Sequence, residues 1–112
     1  MASDRTSLAR DCYLAFAAGD RARMEELMGD ELTFSSPYDV GLDRAGYFER
    51  CWPGSGRGNA FEFKRVEEIG DDEVLVTYES EKDDGTRFRN TEILGFDGDR
   101  IRSVEVYFGW DL

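Results

Sequence analysis

Proton transfer in this chain has to come from carboxylates, phenols or thiols, because its 112 residues include no histidine. That absence excludes imidazole catalysis and zinc sites of the usual cysteine and histidine kind. The two thiols, Cys12 and Cys51, stand in no metal-ligand spacing and read as reduced, buried small hydrophobes. Carboxylates are abundant, and Glu92 has the most informative setting. In the run from Thr86 to Phe96 the residues alternate, so that Phe88, Asn90, Glu92, Leu94 and Phe96 fall on one side of a strand. A carboxyl group on that row loses water, which disfavours its ionised form and raises its pKa from the usual ~4.3. Such an acid can donate a hydrogen bond to a ligand carbonyl or move a proton at an activated carbon. Two other readings stay open: Glu92 pairs with Arg87 or Arg89 across a strand, or it lies exposed on the outer face.

Positioning such a row requires a sheet, and the second half of the chain supplies one. From Ala60 onward the period is two, and turn signals recur at Gly70-Asp71-Asp72, Asp83-Asp84-Gly85 and Asp97-Gly98. The spans Ala60 to Ile69, Glu73 to Glu81, Thr86 to Phe96 and Arg100 to Phe108 read as consecutive antiparallel hairpins. Parity offers Phe61 and Phe63, then Val74, Val76 and Tyr78, then Val104, Val106 and Phe108 as inner rows. Arg87, Arg89, Arg102 and Glu105 take the outer rows, where cross-strand ion pairs form. A β-bulge in the long strand would turn part of its row over.

The first half reads as helices around one short strand. Leu8, Cys12, Ala15 and Phe16 recur at helical spacing, with Ser3 and Asp4 as caps and Gly19 as a left-handed stop. Asp20 caps a second helix with Met24, Leu27 and Met28 on one face, ended by Gly29. Glu31 to Ser36 alternates as a strand broken by Pro37, and Asp43 caps a third helix carrying Tyr47, Phe48, Cys51 and Trp52 before Pro53. The stretch Gly54 to Asn59 reads as a mobile loop, without the leading strand and Lys-Ser/Thr ending of a phosphate loop. Helices followed by a strand meander make an α+β layout with the helices on one face.

With 40% apolar and 13% aromatic side chains, residues 1–112 read as a single domain with one core. The formal charge of -11 repels phosphate backbones and anionic lipid, so neither nucleic acid nor membrane is expected as a partner. Met1 to Asp11 is polar and no apolar run approaches bilayer length, which points to the cytoplasm.

The order of these elements resembles the SnoaL-like branch of the nuclear transport factor 2-like superfamily, which includes ketosteroid isomerase, limonene epoxide hydrolase and scytalone dehydratase. The resemblance covers nearly the whole chain. It is carried by Tyr13 to Asp20 at the end of the first helix, by Asp30-Glu31-Leu32-Thr33-Phe34-Ser35-Ser36-Pro37, and by the aromatic finish Val106-Tyr107-Phe108-Gly109-Trp110. It implies a cystatin-like cone, in which a strongly curved antiparallel sheet wraps around the N-terminal helices and encloses a hydrophobic small molecule, with no cofactor and no metal. Many members pair through the outer face of the sheet, which implies a homodimer.

On this resemblance Phe16, Phe34, Tyr38, Trp52, Tyr78, Phe88 and Phe108 line the cavity, with Val106 on the row of Phe108 and polar groups from Ser36, Asn90 and Glu92. Asp39, in the loop after Pro37, is a second candidate carboxylate near the mouth of the cone. The competing reading is that the rings simply fill a core. The isomerase residues carry over in part. The base before the proline corresponds to Ser36, the oxyanion-binding tyrosine to Cys12 with Tyr13 adjacent, and the neutral acid of the penultimate strand to Glu92. The aspartate that epoxide hydrolases place before the Tyr-Phe pair corresponds to Val106.

The expectation is a small-molecule-binding domain with an apolar pocket, acting as an isomerase, cyclase or dehydratase on a cyclic hydrophobic substrate. The alternative is a non-catalytic dimerisation or interaction domain with a closed core. Fold alone does not choose between them.

Overall fold

A computed structural model describes residues 4–58 and 60–112. The expected cap at Ser3 and the end of the loop at Asn59 lie outside those residues. Asp4 caps α1 (Arg5–Ala18), its carboxylate accepting the Thr6 N–H at 3.0 Å, and Gly19 ends the helix with a φ of 71°. Asp20 opens α2 (Arg21–Leu27) by accepting from Arg23 N–H at 3.1 Å. Asp43 opens α3 (Arg44–Arg50) through Gly46 N–H at 2.8 Å, and a single 3-10 turn, Trp52–Gly54, follows with Pro53 inside it.

Five strands, β1 (Met28–Ser35), β2 (Glu62–Ile69), β3 (Glu73–Glu81), β4 (Arg87–Asp97) and β5 (Arg100–Asp111), form one open sheet in the order β1-β5-β4-β3-β2. From β2 to β5 it is the antiparallel meander that the turns require. β1 departs from expectation twice. It begins at Met28, so that Met28 and Gly29 belong to the strand rather than to the end of α2. It also runs parallel to β5, with Phe34 opposite Val104, so the sheet is mixed rather than wholly antiparallel. A strand that reaches an edge by a long connection has no hairpin to dictate its direction.

The helices cover one face of this sheet. Val74, Val76, Leu94, Phe96 and Ile101 are buried against Leu8, Ala9, Met24 and Leu27. At ~1.5–3 kcal/mol for each fully buried large apolar side chain, this interface is the main stabilising element of the fold. Parity survives along β4, because its register with β3 is unbroken from Val74–Leu94 to Glu81–Arg87. The bulges fall elsewhere. One against β5 lies between Arg89 and Asn90, where Gly109 donates its N–H to Asn90 Oδ1 at 3.1 Å and a Cβ would collide with the Arg89 carbonyl. Another, between Phe63 and Arg65 of β2, lets both Phe63 and Val66 pack on the core.

The described part of the stretch read as a mobile loop is fastened to α1. Gly56 N–H donates to Phe16 O at 2.8 Å and Gly58 N–H to Ala17 O at 3.0 Å, satisfying carbonyls that a helix end leaves open. The two backbones touch: a Cβ on Gly19 would stand 3.0 Å from Gly56 Cα, and Gly56 has a φ of 74°. Among the described residues no helix is long and apolar enough to cross a membrane.

Candidate functional site: a carboxyl group held by two phenols

Glu92 reaches the interior because β4 alternates without a slip against β3, which puts it on the same face as Asn90 and Leu94. It is buried, at 8% exposure. Two phenols hold it. Tyr13, from the middle of α1, donates to Oε1 at 3.0 Å, and Tyr78, from β3, donates to Oε2 at 2.7 Å. Burial pushes the carboxyl pKa above its ordinary value, while the two phenol hydrogen bonds pull it partly back. Burial, followed by the nearby carboxylate, pushes both tyrosines well above the usual phenol range, so they remain donors. The arginines weighed as partners are elsewhere: Arg89 and Arg87 pair with Glu79 and Glu62 on the other face of the sheet.

The three groups face a hollow of about 170 Å³. Its wall combines rings with sulfur: Phe16, Phe34, Tyr47 and Phe61 on one hand, Cys12, Cys51, Met24 and Met28 on the other. Among the described residues Glu92 is the only carboxylate in that wall, and no lysine or arginine is part of it. Both thiols stay protonated, burial being the first cause: Cys12 is pushed up to about 12 and Cys51 to about 11. Among the described residues no group of three or more histidine, cysteine, aspartate or glutamate side chains is placed to hold a metal.

Of the residues singled out in the sequence, Glu92, Tyr78, Phe16 and Phe34 meet in this hollow. Trp52 stands behind the wall, packing edge-on against Phe16 at 5.9 Å between centroids. Val106 is half-buried on β5 opposite Glu92, without lining the hollow. Phe88, Asn90, Phe108 and Tyr38 border a separate cleft of about 330 Å³, with Lys82 and Trp110. Ser36 is spent on a turn, its hydroxyl accepting the Tyr38 and Asp39 N–H groups at 3.2 and 3.3 Å. Asp39 accepts from Arg50 Nε at 2.8 Å and takes no part in the hollow. A larger groove, of about 730 Å³, is a surface feature in which Arg21 and Arg44 face Asp30, Asp43 and Glu49.

Sequence reasoning passed over Tyr13, Tyr47, Phe61, Cys12 and Cys51 as lining residues. For Tyr13 the signal was present: a phenol one residue from the position counted back from the Gly-Asp turn, on the helix face that already carried Leu8 and Cys12. Residues 12 and 13 both face inward, since a helix clasped by a sheet buries more than a narrow stripe.

No protein-family model matches the sequence, and no curated protein matches it. Solved structures do. A nuclear transport factor 2-like protein of unknown function from Cytophaga hutchinsonii superposes with a TM-score of 0.76 at 15% identity, over 97% of this chain and 93% of the other. A provisionally named ketosteroid isomerase from Kribbella flavida gives 0.79 at 16% identity, over 95% and 78%. A provisionally named polyketide cyclase from Sinorhizobium meliloti gives 0.74 at 13% identity, over 90% and 94%. These superpositions cover nearly the whole chain at identities that show the fold alone: the chain has the cone-shaped α+β fold of the SnoaL-like and nuclear transport factor 2-like proteins.

Proposed function

We propose that this protein binds a cyclic hydrophobic small molecule in the hollow beside Glu92 and acts on it as a cofactor-independent isomerase, cyclase or dehydratase. The observation that carries the reading is the isolated carboxyl group: buried, without a basic partner, and held through both oxygens by phenols. A count of protons gives its role. Tyr13 and Tyr78 each spend a hydroxyl proton on Glu92, so in the neutral acid one further proton is left to donate. That donor meets an acceptor oxygen on the ligand and stabilises negative charge developing there, in surroundings where a preorganised dipole counts for more than it does in water.

Chemistry here has one consequence imposed by the lining. With Glu92 the single carboxylate among the described residues of the wall and Ser36 committed to a turn, any proton that moves leaves the neutral Glu92 for the ligand and comes back to it. The names of the Kribbella and Sinorhizobium proteins agree with this class of reaction. The test is Glu92→Gln, which keeps the size of the side chain and removes the acid. A ring ketone should raise the melting temperature of the wild type through linkage, and the variant should fold but bind the ketone more weakly. Equal affinity and equal turnover in the two proteins would remove Glu92 from the mechanism.

A second observation favours association. Tyr107, Trp110 and Leu112 near the end of β5 are 51%, 61% and 54% exposed. Within the same reading these side chains cover the sheet of a second copy, in a cytoplasmic homodimer. Sedimentation equilibrium checks it, and a strict monomer at high concentration would refute it.

A further inference from the structure

The hollow and the aromatic cleft are consecutive rungs of one concave face. Cross-strand pairs place Leu94 opposite Val104, then Glu92 opposite Val106 and Val76, then Asn90 opposite Phe108 and Tyr78, then Phe88 opposite Ser80. Val104, Glu92 and Tyr78 border the hollow; Asn90, Phe108 and Phe88 border the cleft. Same-face residues repeat at ~7 Å along a strand, so the two spaces lie about one such step apart. Tyr78, which lines the hollow, links the two: its hydroxyl is on Glu92 and its ring packs edge-on against Phe88 of the cleft at 6.4 Å between centroids.

Each space has its own size and chemistry. At about 170 Å³ the hollow is below the roughly 300 Å³ at which drug-sized pockets begin, and close to the ~150 Å³ that accommodates a benzene-sized ring. Its rings and four sulfur side chains suit a flat, polarisable guest. The cleft is wetter. Tyr38 and Phe108 meet edge to face at 5.1 Å, yet are 83% and 46% exposed, which leaves ring surface free for a further planar group. Lys82 and Asp111 are paired with each other at 3.0 Å at this edge, so the cleft carries little net charge.

We propose that the site takes a two-part ligand: a single ring bearing an acceptor oxygen in the hollow, and a second, uncharged planar group joined by a short flexible link in the Tyr38–Phe108 cleft. Four rigidly fused rings are too large for a hollow of about 170 Å³, so the second group sits outside it, beyond Tyr78, on a link. The proposal rests on the reading of Glu92 given above and adds the size limit and the outer subsite.

The test measures binding of three probes to the full chain by calorimetry: acetophenone, para-benzyloxyacetophenone and a four-ring enone steroid. The two-ring ketone should bind about tenfold more tightly than acetophenone, as expected for one well-placed aromatic contact with its buried area, and the steroid should not bind. Phe108→Ala and Tyr38→Ala, both at exposed positions where folding is not at stake, should each reduce the two-ring advantage and leave acetophenone binding unchanged. Equal affinity for the two ketones, an advantage that survives both substitutions, or tight binding of the steroid overturns the two-part site while leaving the hollow in place. Failure of every ketone to bind overturns the underlying reading instead.

Discussion

Glu92 and Glu79 are equally hidden, each 8% exposed, and stand on opposite faces of the same two central strands. Their surroundings push them in opposite directions. On the outer face Glu79 lies against the Arg89 guanidinium, with Lys64 and Arg87 close by, and that company holds its carboxyl below the ordinary value. On the inner face Glu92 meets phenols and apolar walls, and burial raises it. Both are hidden from solvent, but Glu79 lies beneath charged side chains that lower its pKa, whereas Glu92 lies among apolar walls whose desolvation raises its own. One face of the sheet thus favours the ionised form of its carboxyl group and the other favours the neutral form.

The largest expected effect comes from deleting the inner group. Glu92→Ala leaves the Tyr13 and Tyr78 hydroxyls without their acceptor in a buried place, and should destabilise the protein by about 2–4 kcal/mol in urea melts. Glu79→Ala frees basic side chains that can swing into water, and should cost less. If the two losses are equal, the contrast between the faces is wrong.

A smaller and more diagnostic effect is the dependence of stability on pH. For Glu92 the ordinary pKa is 4.5 and the folded value lies above it. From pH 4.5 upward the unfolded chain releases this proton while the folded chain keeps it, so stability falls by about 1.4 kcal/mol per pH unit until the folded value is passed. Glu92→Gln should lack that fall. For Glu79 the sign reverses: the stabilisation is present above the ordinary value and lost as pH drops through the lowered one, a loss that Glu79→Gln should abolish. Thermal melts of the three proteins across the acid and neutral range will show two divergences in opposite directions; parallel profiles would sink the assignment of both groups.

The contrast also explains what could be read from the sequence. Period-two alternation fixed the inner row of β4, because Glu92, Asn90 and Leu94 obey a rule that holds wherever a strand does not slip. The arginines opposite to that row were legible for the same reason. Helix boundaries were legible where Asp4, Asp20, Asp43 and Gly19 mark them. What escaped was information that no local pattern holds. The parallel direction of β1 depends on where a distant connection sets it down. Tyr13 meets Glu92 across 79 positions of chain, and only the packing angle of α1 on the sheet chooses it over Cys12 as the donor. The loop residues Tyr38 and Asp39 have no periodicity, so placing them at the wall and at the mouth of the cavity had only the resemblance behind it, while Ser36 closed the alternating run from Glu31; turn hydrogen bonds and the Arg50 ion pair show where the three lie.

The joint between Gly19 and Gly56 bears on how such a molecule changes over generations. It clips the segment leading into β2 onto the last turn of α1 through main-chain atoms alone, and so gives no side chain for selection to adjust. Both glycines hold a left-handed backbone that a side chain rarely adopts, and a methyl group at Gly19 would stand 3.0 Å from Gly56 Cα, so an alanine at either position strains the clip.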